Sequence, residues 1–169
     1  SSSGATYLVF GKSDTTSIEL SNISAGSGGF VINGVTAYDQ SGKSVSNAGD
    51  VNGDGLDDIV IGAFDDDPNG ADSGASFIVF GKTTSTTVEL SNIENGSGGF
   101  AINGVSASDN SGKAVSNAGD VNGDGFDDFI IGAYADDPNG NDSGASFVVF
   151  GKTSGTTIEL SDVEVGSGG

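Results

Sequence analysis

Nine residues, "DVNGDGLDD" at 50–58, hold four carboxylates and two glycines and run directly into the apolar "IVIGA". The arrangement returns as "DVNGDGFDD" at 120–128, ahead of "FIIGA". With Asp50 as loop position 1, Asn52, Asp54 and Asp58 fall at positions 3, 5 and 9, while Gly53 and Gly55 free the backbone to curl. A tight loop with oxygen side chains at alternate positions turns them toward one centre, and the carbonyl of Leu56 at position 7 completes the set. The second copy offers Asp120, Asn122, Asp124, the Phe126 carbonyl and Asp128. Hard, numerous and partly anionic oxygen donors suit Ca²⁺; Mg²⁺ demands a stricter octahedron, and Zn²⁺ favours histidine or cysteine. The competing reading is a plain polar turn, for which Asp, Asn and Gly are equally apt. Two copies, each at the mouth of an apolar run, weigh toward calcium. The expected cation is structural: it neutralises carboxylates that would otherwise repel one another and pins the strand entry. Asp57 and Asp127, at position 8, are expected to face solvent or the neighbouring turn. An EF-hand is excluded, because position 12 holds Ile61 and Ile131 instead of glutamate and no flanking helices are expected.

The loops sit in a repeat. Residues 30–99 align without a gap on 100–169 with about three-quarters of positions identical, and residues 1–29 match 71–99. The chain is read as a partial repeat (1–29) and two full ones (30–99 and 100–169), together one propeller-type module. Within a unit, "GFVING" (29–34), "SGKSVSNAG" (41–49), "DIVIGAF" (58–64) and "ASFIVFG" (75–81) read as strands, the last two as short apolar runs covered on both faces. "TTVELSNI" (86–93) is an edge strand or an irregular connection. No segment carries a helical period of useful length, and turn residues interrupt the chain every ten or so positions. The class is all-β. Sheets of four antiparallel strands whose inner strands are apolar on both faces must be covered from both sides, and radial stacking does this with one sequence. The expected architecture is a β-propeller, with about 2.4 repeats leaving the ring of one chain incomplete.

Composition narrows the function. The formal charge is −19, with 24 acidic residues against five lysines and no arginine, so a nucleic-acid backbone is repelled. Cysteine and histidine are absent, which removes disulfides, thiolate metal sites, the usual nucleophilic triads and histidine acid–base steps. Carboxylates suited to glycoside hydrolysis are present, but they repeat with the scaffold and are better explained as ligands. An enzyme is not expected. No apolar stretch reaches the roughly 18 residues of a membrane span, and "SSSGATYLVF" lacks the layout of a signal peptide.

Other segments are assigned to scaffold. "GKS" (11–13 and 42–44) and "GKT" (81–83 and 151–153) share the end of a phosphate-binding loop, but Thr6, Ala37, Ser76 and Ser146 stand where its first glycine belongs. These lysines are read as turn or edge residues, with Lys43 and Lys113 balancing the charge of the acidic loops. "DDDPNGAD" (65–72) and "DDPNGND" (136–142) are candidates for a second cation site or for a tight turn, and the turn is preferred. Asn22, Asn95 and Asn141 lie in glycosylation sequons that arise by chance in a serine-rich chain.

"SGKSVSNAGDVNGDGLDDIVIGA" and "SGKAVSNAGDVNGDGFDDFIIGA" resemble the FG-GAP repeat of integrin α-subunit propellers and of many bacterial extracellular proteins. Ser41 and Ser111 depart from the family's Phe, and Phe64 and Tyr134 from its Pro. The resemblance implies calcium loops between the first and second strands of each blade, an extracellular or cell-surface location, and a role in adhesion or recognition of a protein or carbohydrate ligand. It does not supply closure: with material for fewer than three blades, the chain is expected to be a piece of a longer protein, one of several chains that complete a ring as a homo-oligomer, or an engineered or recently duplicated unit that assembles. Two alternatives stand beside it: a self-assembling or engineered structural repeat with no ligand but calcium, and a lectin-like sugar binder. Exposed aromatics repeated at the blade junctions would favour the lectin, but Tyr38 has Ser108 as its counterpart.

Overall fold

The computed structural model describes residues 3–166. In chain order the elements are β1 (Ala5–Val9), α1 (Leu20–Ser24), β2 (Gly29–Asn33), β3 (Ser44–Gly49), β4 (Asp58–Ala63), β5 (Ala75–Val79), β6 (Val88–Glu89), α2 (Leu90–Glu94), β7 (Gly99–Asn103), β8 (Ser111–Gly119), β9 (Asp128–Ala133), β10 (Ala145–Val149), β11 (Ile158–Glu159) and α3 (Leu160–Glu164). They form three sheets, ordered β1-β2-β6, β11-β7-β5-β4-β3 and β10-β9-β8. The middle sheet holds three strands of the expected unit, β3, β4 and β5, which pair antiparallel with one another and with β7 of the next, and β11 adds a two-residue parallel edge. The fold is all-β and of propeller type, with an incomplete ring.

Stacking explains the strand composition. Along β4, Ile61 packs into a core shared with β1 and β2 that includes Phe30, Ile32, Phe77 and Val79, whereas Val60 packs into the opposite core with Ile78, Phe129, Ile131 and Phe147. Successive strand residues point to opposite faces, so a sheet sandwiched between two others needs apolar residues at every position, which is why "IVI" does not alternate. The glycines set how closely the sheets approach. A Cβ on Gly62 would lie 1.9 Å from the Gly112 carbonyl oxygen of the next sheet, and one on Gly112 would lie 2.4 Å from the Ala75 oxygen.

Two features depart from the sequence reading. The segment 86–93 is half strand and half helix: β6 pairs parallel with β2, and α2 follows at once, with Leu90 and Ile93 buried. Each such helix spans five residues, too short to leave a periodic trace, and is held by its tertiary contacts. The sheets are also offset from the repeat: "GFAIN" (99–103) completes the middle sheet alongside β5 instead of opening the next one.

Candidate functional site

Each acidic loop opens at a bulge. The β3–β4 register shifts between Asn47 and Gly49, Gly49 adopts φ 75°, and its N–H is held by Asn47 Oδ1 at 2.9 Å. The loop, residues 50–57, therefore joins the first and second strands of the blade, as the resemblance implies. Asp50 gathers it: Oδ1 accepts from the N–H groups of Gly53 (2.8 Å) and Asp54 (3.0 Å), and Oδ2 accepts from Gly55 N–H (2.9 Å). Asn52 Oδ1 accepts from Asp54 N–H, and Asp54 Oδ1 accepts from Leu56 N–H, which fixes position 7. Gly53 and Gly55 sit at φ 76° and 88°, the left-handed region a side chain disfavours.

Asp58 is set apart. It is 1% exposed, its Oδ2 accepts from Val51 N–H at 3.0 Å and its Oδ1 from Gly81 N–H at 2.7 Å, so it straps the loop to the residues after β5. Burial pushes its carboxyl up to about 6, and the charges of Asp54 and Asp50 add to the rise against the two backbone donors. The second copy repeats the pattern. Asp120 accepts from Gly123, Asp124 and Gly125; Asn122 from Asp124; Asp124 from Phe126; and Asp128 from Val121 and Gly151.

The ten residues singled out from the sequence are thus brought into two matching knots. As the side chains stand, no group of three or more carboxylates among the described residues is close enough to hold a metal ion. The donor set is nevertheless all oxygen, and a carboxylate that accepts backbone N–H groups keeps further lone pairs. The mutual repulsion of Asp50, Asp54 and Asp58 is of the kind a cation relieves. These donor types are the ones that calcium takes.

The two loops also interlock, which the spacing did not reveal. Asp127 Oδ2 accepts from Asp50 N–H at 2.9 Å and Asp127 N–H donates to the Asp50 carbonyl, so Asp127 faces the neighbouring turn while Asp57 is exposed. Phe126 covers Gly53, where a Cβ would lie 2.6 Å from its ring.

The second acidic segment is a turn. Gly70 N–H bonds the Asp67 carbonyl, Ser73 N–H the Gly70 carbonyl, and Asp72 N–H the Asp67 carboxylate. Asp66 within it is pushed up to about 6 by burial first and then by the charge of Asp39. A carboxyl whose folded value lies above its ordinary 3.8 binds its proton more tightly in the folded state. Its contribution is therefore fully present below about 3.8 and is lost as pH rises through about 6. In chelator, the urea midpoint is expected to rise as pH falls from 7 to 5, and Asp66→Asn is expected to raise the midpoint at pH 7 and flatten that profile. An unchanged profile in Asp66→Asn would refute the assignment.

The FG-GAP repeat family model matches residues 41–79 and 111–149, each spanning the first three strands of a sheet with its acidic loop. These two segments are FG-GAP repeats. Integrin alpha-PS2 of Drosophila melanogaster is 33% identical to it over 121 residues, which is 68% of this chain and 8% of that relative. The chain thus spans a small part of the length of the relative it matches.

The departures from the FG-GAP pattern have local causes. Ser111, where the family has phenylalanine, is fully buried and packs close to Gly104, where an added Cβ would lie 2.9 Å from the serine Cβ. Phe64, in place of proline, gives the Lys113 ammonium a ring face 3.5 Å away, with Lys43 at 5.5 Å. These lysines meet aromatic rings at the far end of the strands, a correction to the expectation that they balance the acidic loops. The lysines of the "GKT" segments are turn residues with a second task. Lys82 caps the Thr86 carbonyl and lies 4.3 Å from the Phe30 ring, and Lys152 does the same with Thr156 and Phe100 at 4.5 Å. Among the described residues no helix is long and apolar enough to cross a membrane.

Proposed function

We propose that this chain is a calcium-stabilised, integrin-like propeller module that acts outside the cell in adhesion or recognition, as a binding scaffold and not as an enzyme. The observation that carries the reading is the pair of matching oxygen knots at Asp50, Asn52, Asp54 with Asp58, and at Asp120, Asn122, Asp124 with Asp128, with the Leu56 and Phe126 carbonyls as further donors. The side chains at positions 1, 3 and 5 already turn inward onto the loop's own backbone, and Asp54 holds the N–H of position 7. Calcium supplies positive charge at a point where burial and the charges of Asp54 and Asp50 disfavour the ionised form of Asp58. Asp50, Asn52 and Asp54 then bind, and Asp58 holds the strand entry.

The family and its integrin relative support a protein ligand and a cell-surface setting, with recognition by surfaces outside the repeat core. Repeats of this kind make a rigid platform, and rigid platforms present loops to partners at low entropic cost. The lectin alternative gains nothing, since the exposed tyrosines Tyr7, Tyr38 and Tyr134 occupy unrelated positions.

The test is calorimetry with calcium, with magnesium and with excess chelator. If the dissociation constant is on the order of 10⁻⁴ M, as in extracellular modules, 10 mM calcium is expected to stabilise each site by about 2.7 kcal/mol. Magnesium is expected to do markedly less. Identical melting in all three conditions would reduce the knots to ordinary turns.

A further inference from the structure

Each full repeat gathers a second group of carboxylates, at the end of the strands opposite its loop. Asp39 follows β2, Asp66 follows β4 and Glu94 closes α2; one repeat later Asp109, Asp136 and Glu164 hold the same places. β4 spans six residues, which sets the first group about 20 Å from the loop at 50–57. Asp39 and Asp109 are 6% and 5% exposed. Each accepts through Oδ2 from the N–H three residues before it, Thr36 at 2.6 Å and Ser106 at 2.7 Å. The Ala135 N–H donates to the Asp109 carbonyl, which brings the segment carrying Asp136 against Asp109.

What these carboxylates lack is a positive partner. Asp136 is 8% exposed; its Oδ1 accepts from Asp137 N–H at 2.8 Å, but its Oδ2 is buried with no donor. Asp66 repeats the arrangement: Oδ1 accepts from Asp67 N–H at 2.9 Å, and no donor among the described residues reaches Oδ2. The turn that follows does not need Asp66, because Asp67 closes it by accepting from Asp72 N–H. Among the described residues the one ion pair is Lys12 with Asp14, so no lysine neutralises either group. Burial first, and then the charge of Asp39, raises both Asp66 and Glu94. Burial first, and then the charges of Asp136, Asp137 and Glu164, raises Asp109 against the bond from Ser106. The 30–99 unit has repeat sequence on both sides of it, so its group owes nothing to an open edge. A buried carboxylate oxygen without a donor is costly, and a water molecule would leave its charge and its neighbours' repulsion in place; a cation removes both.

We propose that Asp39 with Asp66, and Asp109 with Asp136, each hold a hydrated calcium ion, a second site in every full repeat of this chain that Glu94 or Glu164 draws in by its charge. No three carboxylates among the described residues stand close enough to hold an ion by themselves, so water fills the rest of a shell that in Ca²⁺ takes six to eight oxygens. The inference shares no residue with the loop reading and does not rest on it.

The test counts calcium bound per chain by equilibrium dialysis at a free concentration on the order of 10⁻² M, above the range of extracellular modules. Asp66→Asn with Asp136→Asn is expected to halve the bound calcium, and so is Asp54→Asn with Asp124→Asn in the loops; the four changes together are expected to abolish it. Loss of binding in the first pair is not loss of fold, because Asp66→Asn is expected to raise the urea midpoint in chelator at pH 7. Asp14→Asn with Glu19→Gln, exposed carboxylates outside both sites, is expected to leave the count unchanged. The proposal is overturned if the Asp66/Asp136 variant binds as much calcium as the unmodified chain, if the loop variant binds none, or if the Asp14/Glu19 variant loses as much as the Asp66/Asp136 variant. A loop variant that keeps all its calcium while the Asp66/Asp136 variant loses it sinks the loop reading and leaves the second sites standing.

Discussion

Gly62→Ala is expected to destabilise the chain by about 3 kcal/mol or more, the upper end of what overpacking costs. The added methyl would lie 1.9 Å from the Gly112 carbonyl oxygen and 2.9 Å from its carbon, and both belong to backbone that has no rotamer to swing away. Relief requires the middle and third sheets to move apart, which loosens the core containing Val60, Ile78, Phe129 and Ile131. For a chain of this size the melting temperature is expected to fall by about 10 °C. Gly132→Ala is the internal comparison. It is the same residue one repeat later, where an added Cβ meets only ordinary 3.7 Å contacts, so its urea midpoint is expected to shift by less than about 0.5 kcal/mol. Equal losses from the two substitutions would mean that the strand itself, and not the sheet junction, rejects a side chain.

These glycines show where sequence reasoning carries and where it stops. The apolar runs at 58–64 and 75–81, covered on both faces, require stacked sheets, and the 70-residue repeat requires that the sheets be alike. Both inferences use periodicity, which is local. The reason Gly62 and Gly112 must be glycine is a backbone contact 50 residues apart, and nothing near either residue announces it. The loops divide in the same way. Asp50 bonds three of its own next five residues and is legible from spacing, but the Asp58 bond to Gly81 spans 23 residues and the Asp127 bond to Asp50 spans 77. The one-turn helices were missed because Leu90 and Ile93 give a single repeat of the i, i+3 spacing, which a strand or a loop produces as readily. Lys82 was read as a turn residue, and its ring partner, Phe30, lies in a different sheet. Contacts between sheets follow from the fold as a whole, so they become visible only once the sheets are placed.

Within the loop, two aspartates are expected to answer differently to substitution, and the difference separates a strap from a ligand. Asp58→Ala removes the acceptor for Val51 N–H and Gly81 N–H at a fully buried position and leaves both donors unpaired. Hydrogen bonds to a charged acceptor contribute about 1.5–3 kcal/mol each, and relief of a carboxylate that burial holds near 6 offsets part of their loss. A net cost of about 3 kcal/mol is expected, in calcium and in chelator alike. Asp54 is exposed, accepts only from Leu56 N–H and the Asn52 amide, and keeps an acceptor oxygen when changed to asparagine. Asp54→Asn is therefore expected to cost less than about 1 kcal/mol in chelator, yet to remove most of the stabilisation that calcium gives its loop. Calcium titrations of the two variants by calorimetry decide between the roles. If Asp54→Asn responds to calcium as the unmodified chain does, this aspartate is not a ligand and the knot is a turn. If Asp58→Ala costs little in chelator, the two bonds from Val51 and Gly81 do not hold the loop, and the strand entry is fixed by packing alone.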